Sequence, residues 1–204
     1  MARILQARLQ DLAEEVLPEA QCGFRKGRSC TDMIFTVRQI IEKSWEHKTK
    51  SFLSFIYLKK AYDSVPRDAM WLALRKLGVP EKTVQLIRSF HSGMEANICV
   101  ESELLEEISL ENGLRQGCCM APVLFNLYTC PLMEYWAAKV EEHDRVGIQL
   151  KYKMDKKLFR KYTRNAEQRK ITECLFADDG ALLSSTRASA ESAVLEYQPI
   201  GKRF

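Results

Sequence analysis

The stretch that most constrains this chain lies near its C-terminal end: Cys174-Leu175-Phe176-Ala177-Asp178-Asp179-Gly180-Ala181-Leu182-Leu183. Two apolar runs flank a pair of carboxylates and a glycine. Runs of this length around a Gly-containing break read as two strands of a β-hairpin with Asp178-Asp179 at its turn. Buried arms would hold both carboxylates at the tip. Acids fixed at a strand end are what Mg²⁺ needs, because it takes hard oxygen ligands in strict geometry. Asp-Gly is also an ordinary turn pair, so on this stretch alone a plain turn and a metal site are both open.

A length of 204 residues fits one large domain or two small ones, and 46% hydrophobic content is ample for a core. The net charge of +4 is uneven: residues 151–170 carry nine Lys/Arg against Asp155 and Glu167, net +7, which leaves −3 for the rest. Such a block is either a solvated loop or a nucleic-acid contact. The seven cysteines form no CxxC pair, Cys118 and Cys119 are adjacent, and His47, His91 and His143 lie far apart. This suits neither a zinc site nor a disulfide framework. Reduced thiols in an intracellular protein of cytoplasm or nucleus are the simplest reading. No signal peptide opens the sequence, and no apolar run approaches the ~20 residues of a membrane helix.

In chain order, Ile4, Leu5, Leu9, Leu12, Val16 and Leu17 recur at helical spacing, ending before Pro18. Gln21-Cys22-Gly23-Phe24-Arg25-Lys26-Gly27-Arg28-Ser29 reads as a flexible cationic loop. It could lay guanidinium forks on phosphate oxygens, or be a surface loop with scattered charge. Thr31 or Asp32 caps the next helix, whose apolar face is Met33, Ile34, Val37, Ile40, Ile41 and Trp45. Residues 52–58 form an apolar strand that runs into Lys59-Lys60-Ala61-Tyr62-Asp63-Ser64-Val65-Pro66-Arg67. Helices over 68–77, stopped by Gly78, and from Pro80 follow, then a β-pair over 96–100 and 107–110. Asn112-Gly113-Leu114-Arg115-Gln116-Gly117 leads into an apolar helix through Leu124, Phe125, Leu127, Tyr128, Leu132 and Tyr135. That Gly-flanked loop could lie against a flat ligand, or be an ordinary loop-to-helix junction. A short amphipathic stretch, 188–197, follows the carboxylate hairpin.

Taken together, four stretches resemble, in order, a reverse transcriptase domain of the non-LTR (LINE-type) retrotransposon family. Residues 21–29 resemble its fingers motif and 55–67 its first palm motif. Residues 112–128 resemble the motif whose Arg-Gln-Gly underlies the nascent base pair. Phe176-Ala177-Asp178-Asp179 resembles the polymerase signature. The resemblance runs from about residue 3 to residue 198. It implies an α+β right-hand polymerase: fingers over about 1–50 and 79–110, and palm over about 51–78 and 111–198. The antiparallel palm sheet would be backed by helices. Residues 199–204 are an unmatched tail, and the thumb is expected to be absent. The implied chemistry is attack of a primer 3′-hydroxyl on a nucleotide α-phosphate with two Mg²⁺ ions. The implied partners are an RNA template with a DNA primer, or an RNA–DNA hybrid, and dNTP, with no membrane. Oligomeric state stays open. By the same resemblance Asp178 is a metal ligand and Asp179 its supporting carboxylate. Gln116 and Gly117 line the nucleotide pocket, Tyr62 lies under the sugar, and Arg25 and Arg28 are candidates for the triphosphate.

One departure is chemical. Where the family's first palm motif reads Phe-Ile-Asp-Leu-Lys-Lys-Ala-Tyr-Asp, this sequence has Phe55-Ile56-Tyr57-Leu58-Lys59-Lys60-Ala61-Tyr62-Asp63. Tyr57 occupies the position of the carboxylate that bridges both ions. A phenol with pKa ~10 is neutral at pH 7 and bulkier than a carboxylate. Asp63 is a poor substitute, ~20 Å away along a strand or ~9 Å along a helix. Losing even an outer hydrogen-bond partner of a metal site costs ~10–100-fold, and losing a ligand should cost more. With Tyr57 and the expected lack of a thumb together, the expectation is a chain that polymerises poorly or not at all. The alternatives are a non-catalytic nucleic-acid-binding remnant and a decayed product without function.

Overall fold

A computed structural model of the chain describes residues 1–101, 103–142, 146–153 and 166–201. The elements in order are α1 (Ala2–Val16), α2 (Cys30–Glu46), β1 (Phe52–Tyr57), α3 (Ala61–Ser64), α4 (Arg67–Lys76), α5 (Glu81–His91), β2 (Glu95–Val100), β3 (Glu103–Ser109), α6 (Ala121–Glu142), β4 (Ile148–Lys153), β5 (Ala166–Ile171), β6 (Glu173–Phe176), β7 (Asp179–Ser184) and α7 (Arg187–Gly201). They form two compact units, Met1–Pro18 with Leu58–Glu134 and Glu19–Tyr57 with Tyr135–Arg203.

The first unit is built around helices. Leu5, Leu9 and Ala13 recur every four residues on α1, so one stripe of that helix is buried. They share a core with Met70, Trp71 and Leu74 of α4, Val84 and Ile87 of α5, and Leu124, Phe125 and Leu127 of α6. Ile4 lies off that stripe and is 57% exposed, so the inward face is narrower than the sequence suggests. Gly78 takes φ +85° immediately after α4, the left-handed stop for which glycine is suited. Strands β2 and β3 pair as an antiparallel hairpin.

The second unit is a three-stranded antiparallel sheet of order β1-β7-β6 with helices on both faces. Side chains alternate across a strand, and directly paired residues share a face. The pairs Leu53↔Leu183 and Cys174↔Ala181 therefore define one face. There Leu53, Cys174 and Leu183 meet Met33, Val37 and Ile40 of α2, and Ile148 and Leu150 of β4. The opposite face carries Glu173 and Leu182, and α7 lies along β7 and β1. Helix α2 begins with Ser29 as its cap, whose N–H donates to the Asp32 carboxylate at 2.6 Å. Ile34, Ile41 and Trp45 were expected on its inner face but are 63%, 45% and 84% exposed; Met33, Val37 and Ile40 suffice to fill the groove.

The basic block is flanked by structure that its composition conceals. Strands β4 and β5 pair from Ile148↔Ile171 to Lys153↔Ala166. Residues 154–165, the centre of that block, lie outside the described residues, as do 202–204 of the unmatched tail. Among the described residues no helix is long and apolar enough to cross a membrane.

Candidate functional site

The carboxylate hairpin forms as the alternation of apolar runs requires, with the turn one residue earlier than the sequence reading. Phe176 pairs with Asp179, so the two-residue loop is Ala177-Asp178 and Asp179 already belongs to β7. Asp178 is half-buried and Asp179 exposed. The first loop residue, Ala177, has φ +57°. Hairpin loops that need a left-handed first residue use glycine there, because a Cβ costs ~1–2 kcal/mol in that region. This chain has an alanine, 7% exposed, so something else must hold it.

That support comes from the stretch read as a flexible loop. Gln21 is fully buried. Its Oε1 accepts the N–H of Ala177 at 2.9 Å and the N–H of Gly23 at 2.8 Å. Its Nε2 donates to the Ala177 carbonyl at 3.3 Å. One amide thus satisfies both backbone groups of the strained residue. Backbone bonds from Cys22 N–H to Leu175 O and from Leu175 N–H to Ala20 O, both 2.9 Å, zip the segment alongside β6. A Cβ on Gly23 would stand 2.3 Å from the Ala177 nitrogen, so this close approach requires glycine. The Phe24 ring lies 6.3 Å from that of Phe176. Sequence reasoning missed Gln21 and Gly23 as parts of the site. The available signal was a hairpin loop with no glycine at its first position.

Two arginines singled out from the same stretch make contacts within the protein. Arg25 is buried, and its Nη1 donates to the Gln21 carbonyl at 3.1 Å. Arg28 forks onto Glu19 with contacts of 2.8 and 2.7 Å. That hydrogen bond holds Glu19 below the usual carboxylate range and Arg28 more firmly protonated.

Tyr57 ends β1 directly opposite Asp179 on the central strand, and both are exposed. Directly opposite residues have Cβ atoms roughly 4.5–5.5 Å apart on one face. The donor set at this strand end is therefore two carboxylates and a phenol. Among the described residues no three His, Cys, Asp or Glu side chains gather as a metal-binding group. A two-ion centre takes carboxylate bridges between its cations, and a phenol, with a single oxygen, does not supply one. The residues present do not fit that centre.

The remaining candidates belong to the first unit. Gln116 Nε2 donates to Asp63 Oδ1 at 3.0 Å, and Gly117 has φ +84°. The loop before them is fastened to α3 and the residue after it: Leu114 N–H donates to Tyr62 O at 2.8 Å and Gly113 N–H to Val65 O at 2.9 Å. The Tyr62 ring stacks on Phe125 at 4.6 Å. Arg67 secures the same loop, donating to the carbonyls of His91, Leu110, Asn112 and Gly113 at 2.7–3.2 Å. Asp178, Asp179, Tyr57, Arg25 and Arg28 lie in one unit, and Tyr62, Gln116 and Gly117 in the other.

Comparison with known proteins bears on the family and the fold. The family model described as reverse transcriptase (RNA-dependent DNA polymerase) matches residues 1–203. A probable RNA-directed DNA polymerase from transposon BS of Drosophila melanogaster is 25% identical over 132 residues, covering 64% of this chain and 14% of that protein. The Pol polyprotein of the type-2 retrotransposable element R2DM, also of Drosophila melanogaster, is 26% identical over 107 residues, covering 52% and 10%. The chain thus spans 10–14% of the length of these two relatives. Apo telomerase of Candida tropicalis, truncated from its C-terminal domain, superposes with a TM-score of 0.60 at 11% identity, over 98% of this chain and 38% of that one.

Proposed function

The chain belongs to the reverse transcriptase (RNA-dependent DNA polymerase) family, of the non-LTR retrotransposon type, and from that premise we propose a palm-and-fingers module whose nucleotidyl transfer is silenced at one position, Tyr57. The observation that carries this reading is the register of β1 on β7, which sets Tyr57 across from Asp179. In the proposed scheme Asp178 and Asp179 would face Mg²⁺ only where a carboxylate stands at position 57, as in Tyr57→Asp. Tyr62, Gln116 and Gly117 serve the incoming dNTP, and Arg25 and Arg28 its phosphates. The template is RNA, with a DNA primer or an RNA–DNA hybrid. The palm is proposed to comprise about 51–78 and 111–198, and the fingers about 1–50 and 79–110.

The test is primer extension on an RNA template with Mg²⁺, comparing the unaltered chain with Tyr57→Asp. The expected result is extension by Tyr57→Asp alone, with a difference well beyond the ~10–100-fold of outer-partner losses. Equal extension by both proteins refutes the role given to Tyr57. Failure of both refutes the claim that this one residue is what silences the module.

A second reading, a non-catalytic nucleic-acid-binding module, is favoured by the short donor set itself. It predicts that the unaltered chain binds an RNA–DNA hybrid in a salt-sensitive way without extending it.

A further inference from the structure

We propose that Gln21 is a positioning residue for the carboxylate hairpin: its buried amide holds Ala177 in the left-handed conformation from which Asp178 and Asp179 are presented. Ala177 at φ +57° carries a Cβ where such loops prefer glycine. Left alone, an alanine disfavours that region by roughly 5- to 30-fold in population. Gln21 counters this from 156 residues away in sequence. Its Oε1 takes the Ala177 N–H and its Nε2 gives to the Ala177 carbonyl, so the amide grips the residue on both sides. The amide is itself fixed, because the Gly23 N–H shares Oε1, and Arg25 Nη1 donates to the backbone carbonyl of Gln21. Gln21 has no exposure, and its side-chain amide bonds to Ala177 and Gly23, so its effect on the carboxylates is transmitted through the turn. The consequence for nucleotidyl transfer rests on the function proposed above; the conformational claim does not.

The experiment is a cycle of Gln21→Met, Ala177→Gly and the double variant. Glycine adopts positive φ without a partner, so Ala177→Gly should relieve the dependence on Gln21. The first readout is the backbone amide signals of Asp178, Asp179 and Gly180 in proton–nitrogen correlation spectra of the otherwise unaltered chain. Gln21→Met should shift or split them, and the double variant should return them to the positions seen with Ala177→Gly alone. Unmoved signals in Gln21→Met, or a double variant that stays with Gln21→Met, overturn the proposal. If Gln21→Met loses its dispersed spectrum altogether, recovery of that spectrum by Ala177→Gly supports the proposal and failure to recover it overturns it.

The second readout uses the same cycle in the Tyr57→Asp background. Gln21→Met should lower kcat by roughly 5- to 30-fold with little change in the KM for dNTP, and Ala177→Gly should restore it. A loss confined to KM, or one that glycine does not restore, counts against the proposal. Should Tyr57→Asp itself fail to extend, the function proposed above fails while the spectral readout still decides the role of Gln21.

Discussion

Glu173 lies on the β6 face turned towards Trp136 and Tyr197, 6% exposed. Its Oε2 has no hydrogen-bond partner among the described residues. Burial pushes its carboxyl up to about 7 from 4.5; the nearby Trp136 indole offsets part of that shift without a well-formed hydrogen bond. A raised folded-state value means the protonated acid is the form that fits. Its contribution is whole below about 4.5 and is lost as the pH rises through about 7. Glu173→Gln should therefore gain stability over the parent with rising pH, reaching roughly 3 kcal/mol above neutrality. Denaturation midpoints of the two proteins from pH 4.5 to 8 check this. A difference that stays flat with pH would count against it. At Gly23 the expectation is steric: the added methyl of Gly23→Ala meets backbone at 2.3 Å, which a flexible side chain cannot relieve. That substitution should cost about 1–3 kcal/mol, read from the denaturant midpoint at unchanged slope.

At the scale of elements, Arg67 is the fastener of the first unit's loop. Four carbonyls of the 91–113 region converge on its guanidinium. Burial lowers its pKa, yet an arginine still stays charged. Lysine brings a compact ammonium that cannot reach four acceptors in a plane. Arg67→Lys should cost about 1–3 kcal/mol, and Arg67→Met at least as much. Equal melting temperatures for parent and Arg67→Lys would show the fork is dispensable. These elements also mark what the sequence could reveal. Strand β1, the β6–β7 hairpin, α4 with its Gly78 stop and the β2–β3 pair follow from local apolar spacing and turn residues, and were legible. Strand β5 was not, because Ala166-Glu167-Gln168-Arg169-Lys170-Ile171 has no apolar alternation and its pairing with β4 is a tertiary fact. The outward residues of α2 were misplaced for a related reason: periodicity shows a stripe but not how wide a groove will receive it. Gln21 escaped because its partner is distant in the chain, whereas Asp178-Asp179 announced itself through neighbours alone.

For the whole molecule, a net charge of +4 with a concentrated basic block makes electrostatic binding of a polyanion the governing expectation. Each phosphate neutralised releases counterions, so affinity for an RNA–DNA hybrid should fall about tenfold or more between 50 and 200 mM salt. Titrations of the unaltered chain at several salt concentrations measure this. Affinity indifferent to salt would remove the nucleic-acid-binding reading. Tyr57→Asp should leave the slope nearly unchanged, since one added carboxylate at a strand end scarcely alters the contacts that set it.

The register of Tyr57 against Asp179 also has a hereditary side. Tyrosine and aspartate codons differ only in their first base, so the phenol at position 57 stands a single transversion from a carboxylate. The strands, the turn and its glutamine clamp all persist around it. On the function proposed here, the lesion is reversible: ordinary mutation at one nucleotide could re-arm the module, and a random library at this codon under selection for complementary-DNA synthesis should return aspartate first.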